Sequence, residues 1–375
     1  MRTDVAIVGA VQTRYEAKKA HQTYNELVYE VVSELLKQTG VPMQEIESMV
    51  TASQDFWDGK TISSMSVSEV VGGYLKSEAK VASDGIQALI YGAARILAGA
   101  FEYTLVVAHC KESEGQGQKI TAVMFDPYCQ RPLGVIAPTA AALQARAYMN
   151  AAGIGTETLA QVSQKNHRHA MKNPLALRVG DYKIEQILSA AVYADPLTEL
   201  MAAPTSDGAC ALLLANPEKA KTFGSRVVWI SGMGNSTDAY WTDRDLAQSV
   251  ALAQAAKRAY QMAGVGAKDI DIAEISARCA HEELLYGEAL GLWARKDVAK
   301  VAASENGGKV NPSGGAITGN PATVAGLTRV AEAYLQLSDA AGAHQVPGAS
   351  VALAHGADGI CGQTQSVVIL RRSEA

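Results

Sequence analysis

The chain has 375 residues, of which 48% are apolar and 19% are charged, and its formal net charge is −5. This length can bury a substantial core, arranged in two closely packed domains. The acidic balance argues against nucleic acid as a principal partner, because phosphate neutralisation needs a concentrated basic surface. No apolar run approaches the ~20 residues that cross a bilayer, and the first residues enter a strand pattern instead of a signal-peptide core. We therefore expect no membrane insertion.

The cysteine pattern predicts neither a disulfide framework nor a metal site. The five cysteines are odd in number, widely spaced and without any C-x-x-C pair, which favours a reducing cytoplasm. Cys110 follows an apolar strand and Cys210 lies inside a strand-like run, and both are interpreted as structural. Cys129 lies at an exposed-looking turn, where a structural role and an approach to a ligand both stay open.

Apolar patterns in the first hundred residues alternate between two periods. Short apolar runs bounded by glycine predict strands, and apolar residues spaced three and four apart predict helices. In chain order these patterns predict a strand, a helix, a strand, a helix and a strand, at residues 5–8, 27–40, 49–50, 84–99 and 103–108.

The same order returns in the second part of the chain. Residues 264–271 repeat the glycine, valine and acidic pattern of residues 40–47, which indicates an internal duplication. Alternating strands and helices predict predominantly parallel sheets covered by helices. We predict an N-terminal half at 1–215, an insertion at about 110–205 within it, and a C-terminal half at 225–375.

Several stretches of the chain carry motifs of a known family. The loop at 311–321 (NPSGGAITGNP) resembles the superfamily's NPSGG…GHP active-site loop, with one residue fewer between the glycine clusters. The other stretches are similar to the lipid-transfer-protein branch. They are residues 162–170 (VSQKNHRHA), Asn173-Pro174, 203–211 (APTSDGACA) and 283–292 (ELLYGEALGL).

The resemblance implies a fold and a ligand class. The fold is α/β, a thiolase-like duplicated five-layer α-β-α-β-α arrangement with an inserted loop domain. The ligand is an acyl-CoA thioester, with coenzyme A as substrate or ligand and no tightly bound cofactor. The family also implies a homodimer across the sheet edge of the N-terminal half.

The position of the family's nucleophile is substituted. Thiolases carry an acyl group on a cysteine at a helix N-terminus, where the macrodipole favours thiolate. Aligning Gly85 with the family's glycine puts Ala82 at that position, and an alanine cannot carry an acyl group. Ser83 and Asp84 follow it, and they are either helix caps or a displaced nucleophile and base.

A second catalytic segment also departs from the family. The related branch has His-Asp-Cys-Phe before its ELL helix, and here Ser276 takes the position of the histidine. Cys279 takes the position of the aromatic residue. His281 is either a surface residue at the helix start or a group that turns towards the site.

The glycine loop implies an oxyanion site. Gly314, Gly315 and Gly319 leave room for backbone N–H groups to approach a thioester oxygen. Asn320 stands where the family has an active-site histidine. Asparagine donates a hydrogen bond to an oxyanion but does not act as a base at neutral pH.

The last family element is a Cys-x-Gly turn before the final strand. Counting back from that strand puts Gly359 at the cysteine position, with Cys361 two residues downstream. His355, Asp358 and Cys361 are the candidates for proton transfer, although a buried free cysteine also serves as a small core residue.

Ligand and partner contacts follow from the resemblance alone. Lys165, His167 and Arg168 are the candidate contacts for coenzyme A, with a solvated helix face as the alternative. Some relatives of this branch pair with a zinc-ribbon/OB-fold protein or with a second thiolase subunit.

Two functions fit these substitutions. The first is an enzyme that performs acyl transfer, or retro-Claisen or retro-aldol cleavage, on acyl-CoA without the usual cysteine, since retro-aldol chemistry needs only a base and enolate stabilisation. The second is a catalytically silent CoA-binding or scaffold subunit of a heteromeric thiolase complex.

Overall fold

A computed structural model of the chain describes residues 5–304, 309–319 and 321–373. Its strands are β1 (Ala6–Gln12), β2 (Ser48–Ala52), β3 (Ser77–Val81), β4 (Tyr103–Lys111), β5 (Val192–Ala194), β6 (Leu197–Thr198), β7 (Asp207–Ala215), β8 (Val228–Thr237), β9 (Ile272–Ile275), β10 (Val351–Asp358) and β11 (Thr364–Arg372).

Its α-helices are α1 (Tyr24–Thr39), α2 (Asp55–Asp58), α3 (Ser63–Val67), α4 (Gly85–Leu97), α5 (Gly117–Ala122), α6 (Ala137–Ala152), α7 (Thr156–Ala170), α8 (Ile184–Leu188), α9 (Pro217–Ala220), α10 (Val250–Ala263), α11 (Ala280–Ala289), α12 (Val298–Ala303) and α13 (Ala325–Leu337). Among the described residues, no helix combines the length and the apolarity that a membrane span requires.

Nine strands form one sheet in the order β3-β2-β4-β7-β1-β8-β11-β10-β9. In the first half, β1–β7 and β7–β4 are antiparallel and β4–β2 is parallel. The second half repeats this order, with β8–β11 and β11–β10 antiparallel and β10–β9 parallel. The parallel β2–β3 pair has its counterpart in a parallel bridge between Ala273 and Val310. This repetition matches the internal duplication that the sequence indicates.

The expectation of predominantly parallel sheets was wrong. The sheet contains three parallel pairs, β2–β3, β2–β4 and β9–β10, and its other pairs are antiparallel. The reason is that β7 and β11 each run antiparallel to both neighbours. β11 follows β10 through a hairpin and β7 follows the insertion, so neither is reached through a crossover helix.

Three apolar clusters separate the layers of the fold. One cluster packs α1 against the strands of the first half, and another packs α10, α11 and the insertion helices against the second half. The third joins α4 and α13 to strands of both halves. α4 and α13 therefore lie in the middle, which is the predicted α-β-α-β-α layering.

The ends of the repeated outer helices follow from local sequence. Thr23 and Glu26 form a capping box at the start of α1, and Gly40 ends that helix in the left-handed conformation. Gly264 ends α10 in the same way. Glycine is favoured there because it has no Cβ to oppose a positive φ.

Candidate functional site

A pocket of 390 Å³ opens between the insertion and the second half of the chain. Its walls come from residues that are far apart in sequence, on the segments at 112–124, 137–141, 193–205, 276–286 and 357–362. The charged and thiol side chains among the described residues of these walls are Glu112, Arg278, Cys279, Glu282, Asp358 and Cys361. The described residues do not gather three metal-ligating side chains around one point.

Glu282 is fixed by the turn that starts α11. Its Oε2 atom accepts hydrogen bonds from the backbone N–H groups of Arg278 at 2.6 Å and Cys279 at 3.1 Å, as in a capping box. The residue is 8% exposed. Burial raises the pKa of the Glu282 carboxyl, although these two hydrogen bonds and the nearby Arg278 charge oppose the shift.

Glu112 and Arg278 form an ion pair on the pocket wall. One guanidinium nitrogen of Arg278 lies 3.1 Å from Oε1 of Glu112. Glu112 is buried and also accepts from the backbone N–H groups of Ala322 at 3.0 Å and Ser206 at 3.1 Å. The Arg278 side chain keeps 41% of its surface exposed, so the guanidinium has donors left for a ligand.

The two pocket cysteines are buried thiols. Cys279 is 4% exposed and Cys361 is 8% exposed. Burial, together with the charge of Glu282, raises the pKa of Cys361 to about 12 and that of Cys279 well above its usual range. Both are protonated at neutral pH, and a thiol is a far weaker nucleophile than a thiolate. The Cys361 thiol donates to the carbonyl oxygen of Ala140 at 3.5 Å.

Three of the predicted site residues lie in or next to the pocket. Ser276 and Asp358 line it, whereas Ser83 reaches it through Asp358. The Ser83 hydroxyl donates to Oδ2 of Asp358 at 2.8 Å, and Gln54 donates to the same oxygen at 3.1 Å. Ala82, at the family's nucleophile position, is exposed and is not among the lining residues.

Asp84 is a helix cap, the first of its two predicted roles. Its carboxylate accepts from the backbone N–H of Ile86 at 2.9 Å and of Gly326 at 2.8 Å. The residue is 2% exposed and is not on the pocket wall. Burial raises the pKa of Asp84 to about 7.

The two candidate histidines lie behind the pocket wall. His355 is fully buried, its Nε2 atom is 2.6 Å from Oε1 of Gln365, and its ring packs edge-on against Tyr286, which lines the pocket. Burial lowers the pKa of His355 to about 4. His281 is also fully buried, contacts Gln144 at 3.2 Å, and has a pKa lowered by burial to about 3. Neither ring reaches the cavity directly.

The N–H groups of the glycine loop make hydrogen bonds within the loop. Gly314, Gly315 and Gly319 have φ angles of 98°, 66° and 122°. Their N–H groups donate within the loop, to the Asn311 carbonyl, the Ser313 hydroxyl and the Ala316 carbonyl. A ligand would have to compete with these hydrogen bonds, and the oxyanion role of the three glycines stays a prediction. Asn320 lies outside the described residues.

The predicted coenzyme A contacts on α7 have other partners. Lys165 is buried and forms an ion pair with Glu283. His167 is buried between the carbonyl oxygens of Arg178 and Leu200. Arg168 is exposed and pairs with Asp181, as on a solvated helix face. The polar atoms of Lys165 and His167 have partners inside the protein, and their contact with coenzyme A stays a prediction.

The sequence interpretation did not single out Glu282, Arg278 and Glu112, which line the pocket. The signal for Glu282 was present: Cys279 and Glu282 have the three-residue spacing of a capping box. No local signal marks Glu112, which the fold brings to the site from the end of β4.

Comparisons with known proteins agree with this architecture. A family model described as "Thiolase C-terminal domain-like" matches residues 232–372. Sterol carrier protein 2 of Oryctolagus cuniculus is 36% identical over 59% of this chain and 43% of its own length. The chain thus spans less than half of that relative.

Two other similarities extend over the whole chain. An acetyl-CoA acetyltransferase of Methanothermobacter thermautotrophicus is 28% identical over 98% of this chain and 100% of its own length. The solved structure of an Ltp2-ChsH2(DUF35) aldolase has a TM-score of 0.83 and 22% identity, and the match covers 99% of this chain and 98% of that one. At that identity, the likeness in structure concerns the fold.

Proposed function

The chain belongs to the thiolase superfamily, and from this we propose that it acts on acyl-CoA thioesters without a nucleophilic cysteine. The reaction is acyl transfer, or retro-Claisen or retro-aldol cleavage of a carbon–carbon bond. Coenzyme A enters as part of the substrate or as a ligand, and no tightly bound cofactor is required.

The observation that carries this proposal is the pocket at 276–286 and 357–362. These are the segments that resemble the family's second catalytic segment and its final turn, and they converge on one cavity of 390 Å³. A cavity of this size, with a few polar groups on an apolar wall, is typical of a small-molecule site.

The protonation of the pocket cysteines supports a mechanism without a covalent acyl-enzyme. Ala82 cannot carry an acyl group, and the pKa values of Cys279 and Cys361 are raised by burial. Their thiols are therefore protonated at neutral pH. Retro-aldol cleavage needs a base and a stabilised enolate but no enzyme nucleophile.

The test is incubation of the purified chain with free coenzyme A and a panel of 3-keto- and 3-hydroxyacyl-CoAs. Chromatography with mass detection would follow new thioesters over time, and we expect a shorter acyl-CoA to accumulate. If the product disappears in both Cys279→Ser and Cys361→Ser, and an acyl-enzyme mass is found in the wild type, the cysteine-independent mechanism is wrong. If the folded protein changes no member of the panel, the second candidate function is favoured.

That second candidate is a silent subunit of a heteromeric complex. Large apolar side chains on the insertion are exposed, with Tyr128 at 86% and Leu133 at 80%, and such patches often bind another protein. The name of the structural neighbour pairs Ltp2 with a DUF35 protein. The test repeats the panel with and without a zinc-ribbon/OB-fold protein of that type. Turnover only in the mixture, lost in Leu133→Glu, would support this function.

A homodimer is the third element of the proposal. β3 pairs with β2 on one side only, at the edge of the sheet, and Tyr74 and Leu75 beside it are 81% and 87% exposed. An open edge with apolar neighbours is a ready surface for a second copy. Light scattering should give twice the chain mass, and Leu75→Glu should reduce it to one. A wild-type monomer at micromolar concentration would contradict the dimer.

A further inference from the structure

We propose that Glu282 is the catalytic acid–base group of the pocket and that Arg278 binds the developing oxyanion of the substrate. The substrate is a 3-hydroxyacyl thioester whose acyl group carries no charge. This inference rests on the proposed function and assigns its reaction to the retro-aldol type. Glu282 lies outside the family's His-Asp-Cys-Phe segment, and Arg278 stands at the cysteine position of that segment, where an arginine would have a different role.

The geometry of Glu282 fits proton transfer. Backbone N–H groups hold Oε2 at 2.6 and 3.1 Å, so the orientation of the carboxyl is set by the turn and not by the substrate. Oε1 has no hydrogen-bond partner among the described residues. A buried carboxyl on a cavity wall, with one oxygen tethered and the other unbonded, is placed to exchange a proton with a ligand.

Arg278 supplies the complementary charge. Its own backbone N–H is one of the two donors to Glu282, so the two groups share one turn of the chain. Its side chain is oriented by Glu112, which the fold fixes through two backbone N–H groups from other segments. A guanidinium that is held on one side and exposed on the other can donate to an oxygen on which negative charge develops.

The remaining charged group on the wall, Asp358, already accepts hydrogen bonds from the protein. Asp358 accepts from Ser83, Gln54 and the N–H of Gly359. Among the residues that the structure describes, the wall carries the carboxyl groups of Glu112, Glu282 and Asp358 and one guanidinium, that of Arg278. Because carboxyl groups outnumber the guanidinium, the wall would repel a negatively charged acyl group. The inferred acyl group is therefore uncharged.

The reaction balances without a further reagent. The Glu282 carboxylate takes the proton of the 3-hydroxyl group, the bond between C2 and C3 breaks, and C3 leaves as a carbonyl compound. The electron pair of that bond forms the thioester enolate, whose oxygen accepts hydrogen bonds from Arg278. Glu282 then returns the proton to C2, giving the shortened acyl-CoA.

The proton transfer between Glu282 and C2 is reversible and can be tested without knowing the carbonyl product. In deuterium oxide, Glu282 should exchange the C2 protons of acetyl-CoA or propionyl-CoA for deuterium, and mass spectrometry measures the exchange. We expect Glu282→Gln to lower the exchange rate about 100-fold or more, and Arg278→Gln to lower it to a similar extent. The dissociation constant of the thioester for Glu282→Gln should stay within about threefold of the wild-type value.

The control is Glu288→Gln, on the same helix but away from the pocket wall, which should exchange at the wild-type rate. Thermal unfolding establishes that each variant is folded. Unchanged exchange in Glu282→Gln, or a wild type that binds the thioester but exchanges no proton, would overturn the inference while leaving thioester binding intact. A wild type that neither binds nor converts any thioester would overturn the proposed function, and the inference with it.

Discussion

The carboxylate of Asp84 accepts a hydrogen bond at 2.8 Å from the backbone N–H of Gly326, a residue of the other half of the chain. Its second oxygen caps α4 through Ile86 at 2.9 Å. The N–H of Gly85 donates in turn to the carbonyl of Thr323 at 2.8 Å. One buried side chain therefore joins the N-termini of the two central helices and holds the halves together.

Replacing Asp84 with alanine should destabilise the protein by about 2–4 kcal/mol. Each lost cap costs about 1 kcal/mol, and the two N–H groups are left buried without a partner. Urea unfolding followed by tryptophan fluorescence measures the change. Asn216→Ala, which removes the cap of the short helix α9, is the control and should cost about 1 kcal/mol. Equal losses in the two variants would show that Asp84 does not link the halves.

Stability should also depend on pH through Asp84. Burial raises the pKa of this carboxyl from 3.8 to about 7, and the neighbouring Asp358 adds to the shift while Arg278 opposes it. The folded state then holds a proton that the unfolded chain releases. The contribution to the free energy of unfolding is complete below pH 4 and is lost as the pH rises through 7.

The matched comparison uses Asp84→Asn, which cannot titrate. We expect the free energy of unfolding of the wild type, relative to this variant, to be larger at pH 5 than at pH 8 by about 2–3 kcal/mol. Urea unfolding of both proteins at the two pH values measures the difference. A gap that does not change with pH would mean that Asp84 titrates near its ordinary value.

The ion pair between Lys165 and Glu283 should be required for stability and not for binding. Oε2 of Glu283 also accepts from Asn166 at 2.6 Å and Asn311 at 2.8 Å, so the pair connects α7, α11 and the glycine loop. Lys165→Met leaves a buried carboxylate without its cation and should cost about 3–5 kcal/mol. Chemical unfolding measures this loss.

Two further variants make that prediction specific. Arg168→Met removes an exposed pair on the same helix and should change stability by no more than about 0.5 kcal/mol. Adding Glu283→Gln to Lys165→Met should recover part of the loss, because the uncompensated charge is gone. If Lys165→Met is as stable as Arg168→Met but binds coenzyme A more weakly, the ligand role first assigned to Lys165 would return.

Much of the fold could be predicted because its local signals are strong. Gly40 and Gly264 each end a helix. The similar residues that follow each of them indicate the internal duplication. Strand direction could not be predicted in this way. An apolar run such as 207–215 specifies a buried strand but carries no information on whether its neighbours run parallel to it.

The site was predicted less completely, for a physical reason. Ser276 and Cys361 were singled out because they stand in segments that resemble known catalytic ones, and both line the pocket. The burial of Lys165 and His167 could not be predicted, because the buried face of α7 mixes polar with apolar residues and hydropathy does not mark it. Glu112 reaches the pocket only through tertiary packing, which no local pattern contains.

The five cysteines should differ sharply in reactivity, and this tests the electrostatics of the pocket. Cys129 is exposed and the other four are buried. At pH 7.5 an aromatic disulfide reagent should therefore titrate about one thiol per folded chain promptly, and Cys129→Ser should abolish this phase. The remaining thiols should react after unfolding in guanidinium, because they are buried. Burial also raises the pKa values of Cys210, Cys279 and Cys361, which keeps these thiols protonated. A second prompt thiol that disappears in Cys279→Ser would instead show an accessible thiolate in the pocket, and would favour a covalent mechanism over the acid–base one.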